Sequence, residues 1–238
     1  MRIATVFLAT AAALAMTETE RPWDGSVSLG GLLTSGNTEV AQLDAGLDVS
    51  RTVAGPALTA DLKASASYGS QDDETYREAY STEGGLRWDF TEHNFSRLRS
   101  YWKRDELSGI SHEYGVTAGL GRRLAGGGAL HVSMEAGAGL LSRKSTADSV
   151  LNTSTGYIGA ELEWLATESW TISEEARLNN DFENSENYSL ESVLEASSSI
   201  TGDLSFLVGF DVDYRNLPAL EGGERTDTAL RLQLRLAI

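Results

Sequence analysis

Ala41, Leu43, Ala45, Leu47 and Val49 occupy one parity of the chain, and Gln42, Asp44, Asp48 and Ser50 occupy the other. Helical periodicity would bring Leu43 and Leu47 together but would set Asp44 and Asp48 beside them, whereas a repeat of two separates the sets cleanly. The next run continues the pattern, with Leu58, Ala60, Leu62, Ala64, Ala66 and Tyr68 against Thr59, Asp61, Lys63, Ser65 and Ser67. Eleven residues of unbroken alternation exceed an ordinary sandwich strand and match a tilted strand that crosses a bilayer. Segments of this kind fall at about 23–34, 38–51, 57–69, 77–89, 94–104, 111–123, 129–142, 154–164, 169–180, 187–198, 203–214 and 227–238. One face of each hairpin is greasy and the other is charged or small. The pattern predicts an all-β fold, a single closed antiparallel transmembrane β-barrel of about twelve strands with up-and-down topology.

Two segments fit less well. Phe95 and Tyr101 fall on the parity opposite to Leu98 and Trp102, and Glu174 shares the parity of Trp170, Ile172, Ala176 and Leu178. A bulge, or a segment end outside the hydrocarbon, accounts for either case, and the sequence does not choose between them. The connections alternate in length. Those at 52–56, 90–93, 124–128, 165–168 and 199–202 are short, and those at 70–76, 105–110, 143–153, 181–186 and 215–226 are longer and polar. With both termini on the periplasmic side, the short connections all fall on that side. The first connection is the exception: Ser35, Gly36, Asn37 and Thr38 read as a tight hairpin turn whose Gly-Asn pair takes positive φ and pins the register. Trp23, Trp88, Trp164 and Trp170 lie by the short turns, and Trp102 lies near the other rim with Tyr68, Tyr76, Tyr114 and Tyr214. Two interfacial girdles are expected of a barrel in lipid; the alternative is the ordinary preference of Trp and Tyr for strands.

Ahead of the first strand, Arg2 precedes an apolar run from Ile3 to Met16 that includes the small-x-small site Ala13, Leu14, Ala15, and the polar Thr17 to Glu20 follow at once. The run is too short to span a bilayer and reads as a secretory signal peptide at 1–15, leaving 16–238 as the barrel domain. The 238-residue chain has no Cys, three His and three Met, which removes disulfide and thiolate chemistry, and no cofactor or metal centre is expected. With 35 Asp plus Glu against 19 Lys plus Arg, the formal charge of -16 argues against nucleic acid as a partner.

On the polar parity, the charges expected inside the barrel are Asp44, Asp48, Asp61, Lys63, Glu83, Arg87, Arg97, Arg99, Glu135, Glu161, Glu163, Arg177, Glu191, Glu195, Asp211, Asp213, Arg231 and Arg235, eleven acidic against seven basic. In a narrow barrel they interlock as a salt-bridged filling; in a wider one they line a water channel with a mild cation preference. Burying so many charges demands near-complete pairing or water, and the unequal count favours some water. Gly137 and Gly139 share the parity of Glu135 and leave room for large interior side chains. By the same parity, arginine at Leu232 or Val208 should be damaging and at Gln233 tolerated.

Catalysis is not expected. A lipid hydrolase needs Ser and His side by side at the lipid-facing rim, whereas His131 and Ser133 share the inward face, roughly 6.6 Å apart by rise alone. The acidic loops Asp72, Asp73, Glu74, then Glu183 to Glu186, then Glu221 to Glu224, lack the spacing of a dedicated calcium loop. They read as a solvated surface, with weak divalent-cation bridging to anionic lipopolysaccharide as the alternative.

The run from Trp23 to Thr38, WDGSVSLGGLLTSGNT, resembles the signature W-x-G-x-[VA]-x-L-G-x-x-x-T-x-G-N-[ST] of the salt-induced outer membrane proteins, the YdiY-like family. Arg104 and Asp105 followed by Leu107, Ser108 and Gly109 are similar to its R-D-x-F-x-G loop, the run from Gly119 to Leu124 to its G-L-G-Y-R strand end, and the run from Glu135 to Gly139 to its E-x-G-x-G. The segment from Asp227 resembles its last strand. Leu107 stands where an aromatic is usual, Arg122 where Tyr is usual, and the chain ends on Ile238 where Phe is favoured. The resemblance implies an outer membrane β-barrel of unassigned activity and transfers no catalytic or ligand-binding residue.

The reading is therefore of a barrel in the outer membrane of a Gram-negative bacterium, meeting outer membrane lipid and, during biogenesis, the export and barrel-assembly machinery. Its expected activity is that of a small passive, weakly cation-preferring channel linked to salt or osmotic stress. A non-conducting structural envelope barrel is the alternative, and a lipid hydrolase the distant one.

Overall fold

Strands form where the alternation runs. In the computed structural model they are β1 (Asp24–Thr34), β2 (Val40–Ala54), β3 (Leu58–Gln71), β4 (Glu74–Asp89), β5 (Asn94–Asp105) and β6 (Ile110–Gly127). They continue as β7 (Leu130–Ser145), β8 (Val150–Leu165), β9 (Trp170–Asp181), β10 (Tyr188–Thr201), β11 (Leu204–Arg215) and β12 (Thr226–Ala237). The structure describes residues 23–34, 40–54, 57–72, 74–219 and 222–238, with 32–34, 40 and 54 described by backbone alone. The expected signal peptide at 1–15, the turn from Ser35 to Thr38, and Asp73 and Glu221 of the acidic loops lie outside the described residues.

Each strand pairs antiparallel with its sequence neighbour, and β1 closes the ring on β12 through Ser26↔Ala237 to Gly30↔Gln233. The result is the twelve-stranded, up-and-down barrel that the alternation predicts. Closure leaves no sheet edge, so every strand has a hydrogen-bonding partner on both sides, the condition for backbone in hydrocarbon.

Loop lengths are where the structure corrects the sequence. The expected long connection at 70–76 shrinks to residues 72–73, because the ladder runs on through Ser70↔Thr75 and Gln71↔Glu74. Those at 105–110 and 143–153 shrink to 106–109 and 146–149, and β6 reaches Gly127 past a register shift between Arg123 and Ala125. Only 182–187 and 216–225 stay long. Backbone pairing is indifferent to side-chain polarity, so hairpins extend past the apolar band, and hydropathy underestimates their length.

The apolar side chains lie on the outside. Leu120 is 66% exposed, Leu140 67% and Leu232 53%, whereas the buried apolar side chains are Phe95, Ile110, Tyr157 and Leu207. This inverts the arrangement of a water-soluble domain and identifies a membrane-spanning barrel with a lipid-facing exterior. The two irregular segments resolve without a bulge at those positions. β5 keeps one register with β4 from Asp89↔Phe95 to Ala79↔Asp105, so Phe95 and Tyr101 point inward with Arg97 and Arg99. β9 likewise pairs regularly with β10, which leaves Glu174 on the outer face and Glu175 inside.

Inward rings are accommodated by inward glycines. Phe95 lies over Gly121, Tyr101 over Gly115, and Tyr157 over Gly119 and Gly137. A Cβ at Gly137 would meet the Ala118 carbonyl, would lie 2.6 Å from the Gly119 Cα and 2.7 Å from the Tyr157 ring, and would thus collide with backbone that cannot move aside. Gly137→Ala is expected to lower the stability of the folded barrel by about 1–3 kcal/mol in urea titrations, the usual cost of overpacking. Gly127→Ala is the control, since nothing lies within 4 Å of the position its Cβ would take.

Candidate functional site: the charged lumen

The inward faces enclose a cavity of about 1030 Å³. Its lining runs from Arg123, His131 and Glu163 at the end of the short turns to Asp105, Arg215 and Asp227 at the other, with Ser26, Ser28, Ser65 and Ser67 on one wall. Small hydroxyl side chains on β1 and β3, with Gly46 between them on β2, leave this space open, while the opposite wall is filled by a charged cluster.

That cluster centres on Arg99, which lies 3.0 Å from Glu135, 3.2 Å from Glu161, and 3.7 Å from both Glu83 and Glu175. Arg97 bonds Glu161 and approaches Glu135 at 3.6 Å, and Arg177 reaches Glu135 at 3.9 Å. Ser133 donates to Glu161 at 3.3 Å. Arg87 stacks on the Phe95 ring at 3.7 Å and pairs with Asp89 at 3.2 Å, and Arg177 stacks on Tyr157 at 4.1 Å. Period-two alternation sets these groups on one face of each strand, and the closed ring brings the faces of β4 to β9 together.

A second group joins β10, β11 and β12. Arg231 lies 2.6 Å from Asp211 and 3.3 Å from Glu195, and Arg235 is 2.9 Å from Glu195. A third stands near the longer loops: Arg215 pairs with Asp213 at 3.1 Å, and Arg143 pairs with Glu113.

Two ion pairs cross the lumen. Lys63 on β3 meets Glu175 on β9 at 3.3 Å, and Lys103 on β5 meets Asp213 on β11 at 2.8 Å, with Glu191 at 3.9 Å. Each joins strands six places apart in a ring of twelve, which are opposite walls.

All seven basic residues expected inside have a carboxylate within 4.0 Å. Seven of the eleven acids, Glu83, Glu135, Glu161, Glu191, Glu195, Asp211 and Asp213, are matched in the same way. Asp44, Asp48, Asp61 and Glu163 have no basic side chain at that distance among the described residues. Asp44 instead accepts a hydrogen bond from Gln42 at 2.8 Å. The fixed charge left over is negative.

Sequence reasoning missed Lys103, Glu113, Arg143, Glu175 and Arg215. Parity carried to the strand ends, and accepted at Glu175 in spite of Glu174, would have found them. It also overrated Gln233. This side chain faces inward but is 4% exposed and packs over Gly30, so the position has less free room than inward parity alone implies.

Ser133 bonds Glu161, and no Ser-His pair forms at His131 among the described residues. At the end of β9, Asp181 accepts from Thr153 at 2.5 Å, from the Glu183 backbone at 2.8 Å and from Asn187 at 2.8 Å, so its oxygens are committed to holding the turn that follows. Among the described residues no group of three or more His, Cys, Asp or Glu is placed to hold a metal ion. Trp23, Trp88, Trp164 and Trp170 are exposed at the short-turn ends of their strands, and Trp102, partly shielded, stacks with His112 near the other rim.

A family model described as "Protein of unknown function, DUF481" matches residues 27–237. The Escherichia coli (strain K12) protein named "Uncharacterized protein YdiY" is 25% identical over 215 residues, covering 90% of this chain and 83% of its own. Among solved structures, the COG4313 outer membrane channel from Pseudomonas putida F1 is similar with a TM-score of 0.54 at 9% identity, covering 94% of this chain and 100% of that one. The NanC porin is similar with a TM-score of 0.51 at 12% identity, covering 90% and 97%. Identities this low establish a shared barrel fold.

Proposed function

The chain belongs to the DUF481 family, and we propose for it the role of a small passive channel with a weak cation preference in the outer membrane of a Gram-negative bacterium. The observation that carries this reading is the 1030 Å³ lumen, lined from one rim to the other by hydroxyl and charged groups and left with unmatched carboxylates. Water fills such a space, and fixed negative charge in it raises the local concentration of cations over anions. Residues 1–15 direct export, and the barrel-assembly machinery inserts the mature domain. The first residue of the mature protein, read by N-terminal sequencing, is then Met16.

Purified protein in planar bilayers is expected to give small current steps, with a reversal potential in a salt gradient that favours cations. Asp44→Asn with Asp48→Asn should move that potential toward zero, since both carboxylates line the lumen and lack a basic partner. A structural, non-conducting barrel is the second reading, favoured by the Arg99 cluster that fills one wall. Silent bilayers with a folded sample, shown by heat-modifiable migration, would decide for it. The proposed link to salt or osmotic stress is tested separately by the growth of a deletion strain at high osmolarity.

A further inference from the structure

We infer that Lys63–Glu175 and Lys103–Asp213 are two crossed bars that set the size limit of the lumen, so that the solutes passed are small hydrated ions and the solutes excluded are wider neutral molecules. The inference rests on the channel reading, because a size limit has meaning only where something passes.

The geometry comes from the order of the strands. β3 faces β9 and β5 faces β11, so the two axes are turned by two strands of the twelve, a sixth of the circumference. They also lie at different depths. Lys63 and Glu175 are each five residues from the short-turn end of their strands, Leu58 and Trp170, whereas Lys103 and Asp213 are each two residues from the opposite ends, Asp105 and Arg215. On β5 the residue level with the first bar is Arg99, which lies 3.7 Å from Glu175. Lys103 is four residues further on, roughly 13 Å along the strand. A path down the axis therefore meets one bar, then a second at a different angle, and no straight wide passage lies between them.

The bars differ in stiffness. Lys63 and Glu175 are both half-exposed, and an exposed ion pair contributes little, so it opens and re-forms readily. Asp213 is also held by Arg215 at 3.1 Å, and Lys103 has Glu191 as a second partner, which makes the second bar the tighter one. Each bar is a flexible lysine reaching a carboxylate, so a small ion can pass beside it, while a solute that fills the lumen must break both.

The test is the Lys63→Ala, Lys103→Ala double variant in planar bilayers, with polyethylene glycols of graded size added to the bath. Unit conductance should rise roughly two-fold or more, and larger polyethylene glycols should enter and reduce it. Lys144→Ala is the control, since Lys144 pairs with Asp148 outside the lumen and should leave both measurements unchanged. A folded double variant with the wild-type conductance and cutoff overturns the inference. A silent wild type with a conducting double variant overturns both the channel reading and the size limit, and leaves the bars as a seal. Silence from both overturns the two readings together. Should the double variant not fold, Lys63→Ala alone carries the test at the more exposed bar, with a smaller expected rise.

Discussion

Arg99→Leu is expected to cost about 3–5 kcal/mol of folding stability, the usual consequence of removing one partner from a buried ion pair. The measurement is the urea midpoint of the barrel reconstituted in lipid, followed by tryptophan fluorescence. Arg99 is 5% exposed and has Glu83, Glu135, Glu161 and Glu175 within 3.7 Å. Without it, Glu135, Glu161 and Glu175 are left to Arg97, Arg177 and Lys63, Glu83 keeps no basic side chain within 4.0 Å among the described residues, and the least solvated of the four, Glu135, loses its nearest cation. Pairing Arg99→Leu with Glu135→Leu should cost less than the two single changes summed, because the groups share one network. Arg104→Leu, at a more exposed pair with Glu106, sets the scale for a surface effect. A shift no larger than that would contradict the central place given to the cluster.

The second large effect concerns the outer face. Leu232→Arg should destabilise the inserted barrel by about 2–4 kcal/mol, the depth-dependent cost of a charge near the bilayer midplane. Leu232 stands near the middle of β12, 53% exposed and opposite Val208, so Val208→Arg should behave alike. The suitable inward comparison is Ser65→Arg, because Ser65 is exposed to the lumen and lines its open wall. That change should cost little in stability. Equal damage at Ser65 and Leu232 would show that the two faces are wrongly assigned.

The same contrast explains what could be read in advance. Alternation is a local property, carried by each residue and its neighbour two places on, and so Leu204 to Tyr214 or Leu230 to Ile238 announce a strand with one apolar face wherever they are found. The strand segments and the two-faced character of each, with Asp44, Arg97 or Glu161 on the polar side, follow from that alone; the short connections between about twelve of them add the antiparallel order. Strand ends did not, because hydrogen-bonded ladders such as Gln71↔Glu74 continue where hydropathy has already turned polar. Phe95 and Tyr101 looked misplaced because the room for a ring inside the barrel is supplied by Gly121 and Gly115 on the next strand, which no pattern within β5 reveals.

Partnership across the lumen lay furthest from the sequence. Lys63 and Glu175 are separated by 112 positions, and Lys103 and Asp213 by 110. Nothing in either neighbourhood marks them as a pair. What the sequence determined by itself is which side of the wall each residue faces, since a period of two needs only the local backbone. Which inward charges meet, which remain unmatched and where the lumen is barred were decided by closure of β1 on β12, because only a closed ring of known strand number and register sets β3 opposite β9 and β5 opposite β11.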